Sequence, residues 1–278
     1  MSRIVRSRAP VAFLRAIFVA LLVALPQLLL QPEHTQATQL VALAALVAGG
    51  FTFVEYVAPA PSLLEFRDAR PYNRIRVIFM ILGILSACVM FRPGWDAQPL
   101  HDLLHYLGEA WHNGLMPWTP VHLLVGSLPA DADPHLVETV QAAATATYGL
   151  SLLMILTFLV AVRWLNWPGH GVFNVWVNLP QFDPMAGGDV VERLQHDAQV
   201  NLALGLLLPM IAPMVADLLS APFDGIALRE PVALVWTLML WAFLPAGLAM
   251  RGLALHRLAS LIASHRARLR QDEFERLA

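Results

Sequence analysis

A chain of 278 residues with 58% hydrophobic and 14% charged side chains is too apolar for an ordinary soluble domain, since such domains carry roughly 25% charge. The formal net charge is only −2, so nothing in the balance marks a nucleic-acid binder. The surplus apolar side chains must face lipid, because a soluble fold of this size needs a polar shell.

All 18 basic residues are Arg. Arg and Ala usage of this kind follows GC-rich coding and points to a Gram-negative bacterium, hence to an inner membrane. The single cysteine, Cys88, lies in an apolar stretch, which excludes a disulfide within the chain and any cysteine-based metal cluster.

A bilayer core takes about 20 mostly apolar residues in helix, and helix is forced because lipid offers no partner to backbone polar groups. The first such stretch is Val11–Leu30. Arg3, Arg6 and Arg8 precede it and Thr35-Gln36-Ala37 follows, which imitates a signal peptide. The length of the run and the Arg15 embedded in it predict a retained helix instead. The second span, Gln39–Val57, carries Ala44/Ala48 and Ala45/Gly49, small-residue pairs that let helix backbones approach. Near its end sits Glu55, an intramembrane acid and therefore a candidate for transport or packing.

The connection that follows holds Pro59, Pro61 and Pro71 with Glu65, Arg67, Asp68 and Arg70 alternating in charge. It predicts an ordered surface segment with local ion pairs. The third span is Ile75–Met90.

Residues 92–141 form a long loop, and loops of that length usually have structure or a job. Gln98–Asn113 reads as an amphipathic helix with Leu100, Leu103, Leu104 and Leu107 on one face. On the other lie His101, His105, Glu109 and His112, at helical spacing. Such a helix is expected in the membrane interface or over the bundle. Two histidines one turn apart can chelate zinc or copper, with Glu109 or His112 completing the shell. The competing account is a wet helix face that tolerates histidine, and no His-Glu-x-x-His spacing is present. No His falls in a predicted span, which argues against bis-histidine haem.

The fourth span, Ala143–Trp164, is preceded and entered by the small-residue pairs Ala142/Ala146 and Thr145/Gly149. The loop 165–199 holds a strand-like alternation over Val172–Leu179, a turn-rich Leu179-Pro180-Gln181-Phe182-Asp183-Pro184, and Gly187-Gly188-Asp189. Asp189 predicts a helix N-cap, with Glu192 as its capping-box partner. The fifth span, Val200–Leu219, contains Pro209 and Pro213 on one face, a kink or hinge, and Asp217 near its end. The sixth span, Val232–Met250, is expected to run on as a helix through an extension over 251–278, to about Phe274.

Arg placement sets the orientation. With the N-terminus inside, the inner segments hold every Arg except Arg92 and Arg229 on the outer side and Arg15 within the first span. Both termini are therefore expected in the cytoplasm, with 92–141 periplasmic and 165–199 and 251–278 cytoplasmic.

The fold class is thus all-α: a polytopic membrane protein of about six transmembrane helices plus an outer amphipathic helix, in one integral domain. Its leading functional reading is a non-catalytic accessory, scaffold or assembly subunit of a bacterial inner-membrane complex, with the bilayer and other membrane subunits as partners and no cofactor. A small transporter or channel is the alternative, using Glu55, Asp217 and the Pro209/Pro213 kink. It draws on a spacing match: Glu55 is followed by Ala60-Pro61 and Pro71, and Asp217 by Ala221-Pro222 and Pro231, as an inverted three-plus-three repeat would leave. The second alternative is a periplasmic-face metal-binding protein using the histidine stripe.

Overall fold

The structure, a computed structural model, describes residues 2–30, 36–59, 61–67, 69–92, 94, 99–114, 119–129, 131–165, 167–168, 178–180, 182, 187–220 and 230–277. Within helices, the side chains of 2–7, 36–37, 111–114, 216–220 and 277 lie outside that description. Among the described residues eight helices follow in chain order: α1 (Ser2–Leu30), α2 (Gln36–Val57), α3 (Tyr72–Phe91), α4 (Pro99–Gly114), α5 (Pro120–Gly126), α6 (Pro134–Trp164), α7 (Val190–Ser220) and α8 (Pro231–Leu277). Six of them, α1, α2, α3, α6, α7 and α8, are long and apolar enough to cross a bilayer. The chain is an all-α polytopic membrane protein.

Two helices start well before the apolar runs that reveal them. Helix α6 begins at Pro134, where the Asp133 carboxylate accepts from His135 N at 3.3 Å. Helix α7 begins at Val190, capped by Asp189, whose Oδ1 accepts from Val191 N at 3.0 Å. Among the described residues no return bond from Glu192 completes a capping box. Helix α8 runs unbroken for 47 residues, about 70 Å at 1.5 Å per residue. The strand-like segment falls mainly on 172–177, outside the described residues. Its end is described: Asn178 O accepts from Phe66 N at 2.7 Å, and Leu179 O accepts from Phe182 N at 3.1 Å in a turn.

Packing depends on missing side chains. A Cβ on Gly205 would lie 2.8 Å from Ala249 Cβ, and one on Gly252 would lie 2.8 Å from Ala198 O. Helices α7 and α8 therefore meet backbone to backbone. Helix α1 meets α2 in the same way, with Ala16 O 3.1 Å from where a Gly49 Cβ would stand. The small residues that predicted close neighbours thus find them within this chain, at Ala45/Gly49 against α1 and at Ala142 against α4. The helix pairings within the two halves differ: α2 packs along α1, whereas α7 packs along α8.

The outward faces are apolar. Leu40, Leu46, Val47 and Val54 on α2 are each more than 60% exposed, which suits hydrocarbon and would be an aggregation surface in water. The core lies among α3, α6, α7 and α8, around Ile84, Met154, Phe158 and Met250.

Candidate functional site

The polar machinery of the described chain gathers at one end of the bundle, where the 58–71 connection, Trp167 and Leu179 meet the projecting part of α8. This is the arginine-rich end. Helix α2 stops there and leaves carbonyls without partners, as every helix C-terminus does. Arg67, only 6% exposed, reaches back to them. Its Nη1 donates to Glu55 O and Ala58 O, both at 2.9 Å, and its Nη2 to Pro59 O at 3.3 Å. The Glu55 carboxylate, 3% exposed, turns the other way. It accepts from the backbone N–H groups of Ser62 (3.0 Å), Leu63 (3.2 Å) and Leu64 (3.1 Å), and from the Ser62 hydroxyl. The intramembrane acid picked out by sequence is thus the anchor of the loop that follows it.

The loop is then pinned from three sides. Phe66, with φ 54° in the left-handed region, turns its ring inward against Tyr72 (centroids 4.7 Å apart) and Trp167 (6.1 Å). Asn73 Nδ2 donates to Phe66 O and to Arg67 O. Arg257 Nε on α8 donates to Trp167 O at 3.1 Å. Glu65 receives Arg251 in a two-pronged pair, with Nη2 to Oε1 at 2.9 Å and Nε to Oε2. The Glu65 pair is therefore not local: it joins residues 186 apart in sequence. It is also half-buried, and bidentate Arg–carboxylate geometry is the strong form of such a pair.

Between α3, α8 and this loop lies a cavity of about 520 Å3. Arg76, Arg251, Glu65 and Tyr72 stand at its polar end. Apolar walls run from there along Met80 of α3 and, on α8, through Phe243 and Met239 to Trp236. A second cavity of about 320 Å3 lies between α6, α7 and α8, with Tyr148, Ser151 and Pro209 in its lining.

The proline pair of α7 is stitched to its neighbour. Pro213 has no N–H, so the carbonyl four residues back, that of Pro209, loses its helical donor. Trp241 Nε1 of α8 supplies one at 2.9 Å. Asp217 lies in α7, but its side chain is outside the described residues. Glu55 does not line the Pro209 cavity, and among the described residues its carboxylate's hydrogen bonds all go to residues 62–64.

At the opposite end, α4 packs against α6 through Gly108, where a Cβ would stand 2.8 Å from Ala142 Cα. That contact turns His101 and His105 inward, while Glu109 stays 60% exposed. The His101 side chain is 14% exposed and that of His105 34%, while Leu103 is 52% exposed and Tyr106 67%. Of the leucine face, Leu100, Leu103 and Leu107 look outward, while Leu104 packs against the core. The His101 and His105 rings lie nearly parallel, 21° apart, with centroids at 6.3 Å. His105 Nδ1 stands 4.0 Å from Glu109 Oε1. Among the described residues no three metal-ligating side chains converge; the His112 side chain lies outside them.

Sequence reasoning counted Arg76 and Arg251 for orientation and passed over them as a site. One signal was available: Arg76 sits inside the predicted third span, where a charge calls for an explanation. The pairing of Glu65 with Arg251 carries no local pattern. Comparisons with protein families, with curated proteins and with solved structures each found no match.

Proposed function

We propose that this protein is a non-catalytic structural or assembly subunit of a bacterial inner-membrane complex, with both termini in the cytoplasm. The observation that carries the reading is the far end of α8. Beyond Ala263 the helix leaves the body of the protein, and every described residue from Ser264 to Arg276 is exposed. Two of these residues are large and apolar: Leu269 is 54% and Phe274 75% exposed. Apolar groups held out on a helix beyond the span bury little of their surface unless a partner covers them. The acids and arginines at the base of this helix serve to hold it: Glu65 binds Arg251, and Asp189 binds Arg266 at 2.6 Å. The excess of Arg at this end supports its cytoplasmic placement.

The test is photocrosslinking from positions 269 and 274 in native membranes, with position 268 as the polar-face control. One defined membrane protein captured at 269 and 274 but not at 268, and co-purifying in fixed ratio, is the expected result. Equal or absent capture at all three positions, from a protein that purifies alone, overturns the reading.

A second reading, a small transporter or channel, draws support from the cavity beside Pro209 and Ser151. Under it, Asp217→Asn alters flux while expression is kept. A collapse of expression assigns Asp217 to structure instead.

A further inference from the structure

From the cavity between α3 and α8 we infer a binding site for one anionic phospholipid of the leaflet at the arginine-rich end, its phosphate at Arg76 and one acyl chain along α8. The shape is amphiphilic in the right direction. Along α8 the lining runs from Arg251 to Trp236, about 22 Å at 1.5 Å per residue. One leaflet of hydrocarbon is about 15 Å thick, so the groove is long enough to carry a chain from the headgroup level to the bilayer centre. Its rim is open to lipid, since Leu240 is 60% and Leu244 52% exposed.

The charge balance selects an anion. Arg251 is engaged by Glu65, with Asp197 also near enough to bear on it. Arg76 has no carboxylate partner among the described residues. Its guanidinium lies 5.6 Å from the centroid of the Tyr72 ring and 3.9 Å from where a Gly247 Cβ would stand. With Glu65 and Asp197 set against Arg251, the guanidinium of Arg76 is the cavity charge that no described carboxylate meets. A phosphodiester carries one negative charge and can take a two-pronged bond from guanidinium. Basic pockets between membrane helices are where such headgroups are held. The bare α8 backbone at Gly247 makes the room. This inference stands apart from the subunit reading, since it needs no partner protein.

The test is native mass spectrometry of the full chain, delipidated and titrated with dioleoyl phosphatidylglycerol, dioleoyl phosphatidylcholine or inorganic phosphate. One phosphatidylglycerol per chain, held at least tenfold more tightly than phosphatidylcholine, is expected. Arg76→Gln should lower that affinity about tenfold and erase the preference, while Arg74→Gln, at an exposed arginine nearby, should not. Gly247→Leu narrows the groove beside Arg76 while leaving every charge in the chain in place; it should also lower retention, which keeps the test open if Arg76→Gln fails to fold. Equal binding of both lipids, unchanged by either groove variant, overturns the proposal. So does displacement of phosphatidylglycerol by millimolar phosphate, which would make this a site for the free anion.

Discussion

The two ends of the bundle are built on opposite plans. At the arginine-rich end an irregular connection is held by charge-assisted bonds to backbone: Glu55 on three N–H groups, Arg67 on three carbonyls. At the other end α4 is held chiefly by shape, a bare Gly108 against Ala142, with one long bond from Gln141 Nε2 to Gly108 O at 3.4 Å. The difference follows from what each end must solve. A loop entering the edge of the membrane has backbone groups that water cannot reach, and each one left unmade costs several kcal/mol in hydrocarbon, roughly. A helix satisfies its own backbone and needs only a fit.

The largest effect should come from removing the carboxylate at the first end. Glu55→Ala leaves the N–H groups of Ser62, Leu63 and Leu64 without their acceptor. At about 1 kcal/mol or more for each orphaned donor, the cost is on the order of 3 kcal/mol. Thermal unfolding in mild detergent should show a lower midpoint and a lower yield from membranes. Glu55→Gln keeps one acceptor oxygen and should fall between. An unchanged midpoint for Glu55→Ala would mean that the loop holds itself, and the contrast between the ends would collapse.

Shape at the second end can be broken separately. In Gly108→Val the new Cβ meets Ala142 Cα, a backbone atom that cannot rotate away. Overpacking of this kind costs about 1–3 kcal/mol. Because α4 is attached at the rim, the loss should appear as faster hydrogen exchange across α4, with the unfolding midpoint of the bundle unmoved. Gly50→Ala is the control, since nothing lies within 4 Å of its Cβ position. A global drop in stability for Gly108→Val would show that α4 is part of the core rather than a cover on it.

How much of this was legible in the residues varies by kind of interaction. The six spans are readable because lipid demands long apolar runs, and α8 beyond Met250 is readable because no Pro or Gly breaks it after Gly252. The starts of α6 and α7 are hidden because their first turns are polar and extend past the apolar run. The two faces of α4 were readable, but not which of them meets the bundle. In water the leucines of an amphipathic helix seek the protein, but at a membrane they also find lipid, so periodicity gives the faces and not their directions. Glu55 was visible as an oddity, while its partners, being backbone, have no letter in the sequence. Arg251 and Glu65 meet only through the fold.

The smallest effect lies where the projecting helix is tied to the body. Asp189 accepts from Val191 N and from Arg266 Nη1, and the Arg266 bond above all holds its carboxyl below the ordinary value of 3.8. A carboxylate with a depressed folded-state pKa contributes its full stabilisation above its unfolded value and loses it as pH falls through the lowered one. The tie should therefore be constant from neutral pH to about 5 and weaken only below the ordinary carboxylate range. Both partners are more than 40% exposed, so salt should weaken it too. Asp189→Asn keeps a good capping oxygen for α7 and removes only the charge that holds Arg266. Its hydrogen exchange near Arg266 should be faster at neutral pH and low salt, and should match the wild type at high salt. Exchange that instead rises across the first turn of α7, at every salt concentration, would show that Asp189 acts as a cap and that the Arg266 contact contributes nothing to holding α8.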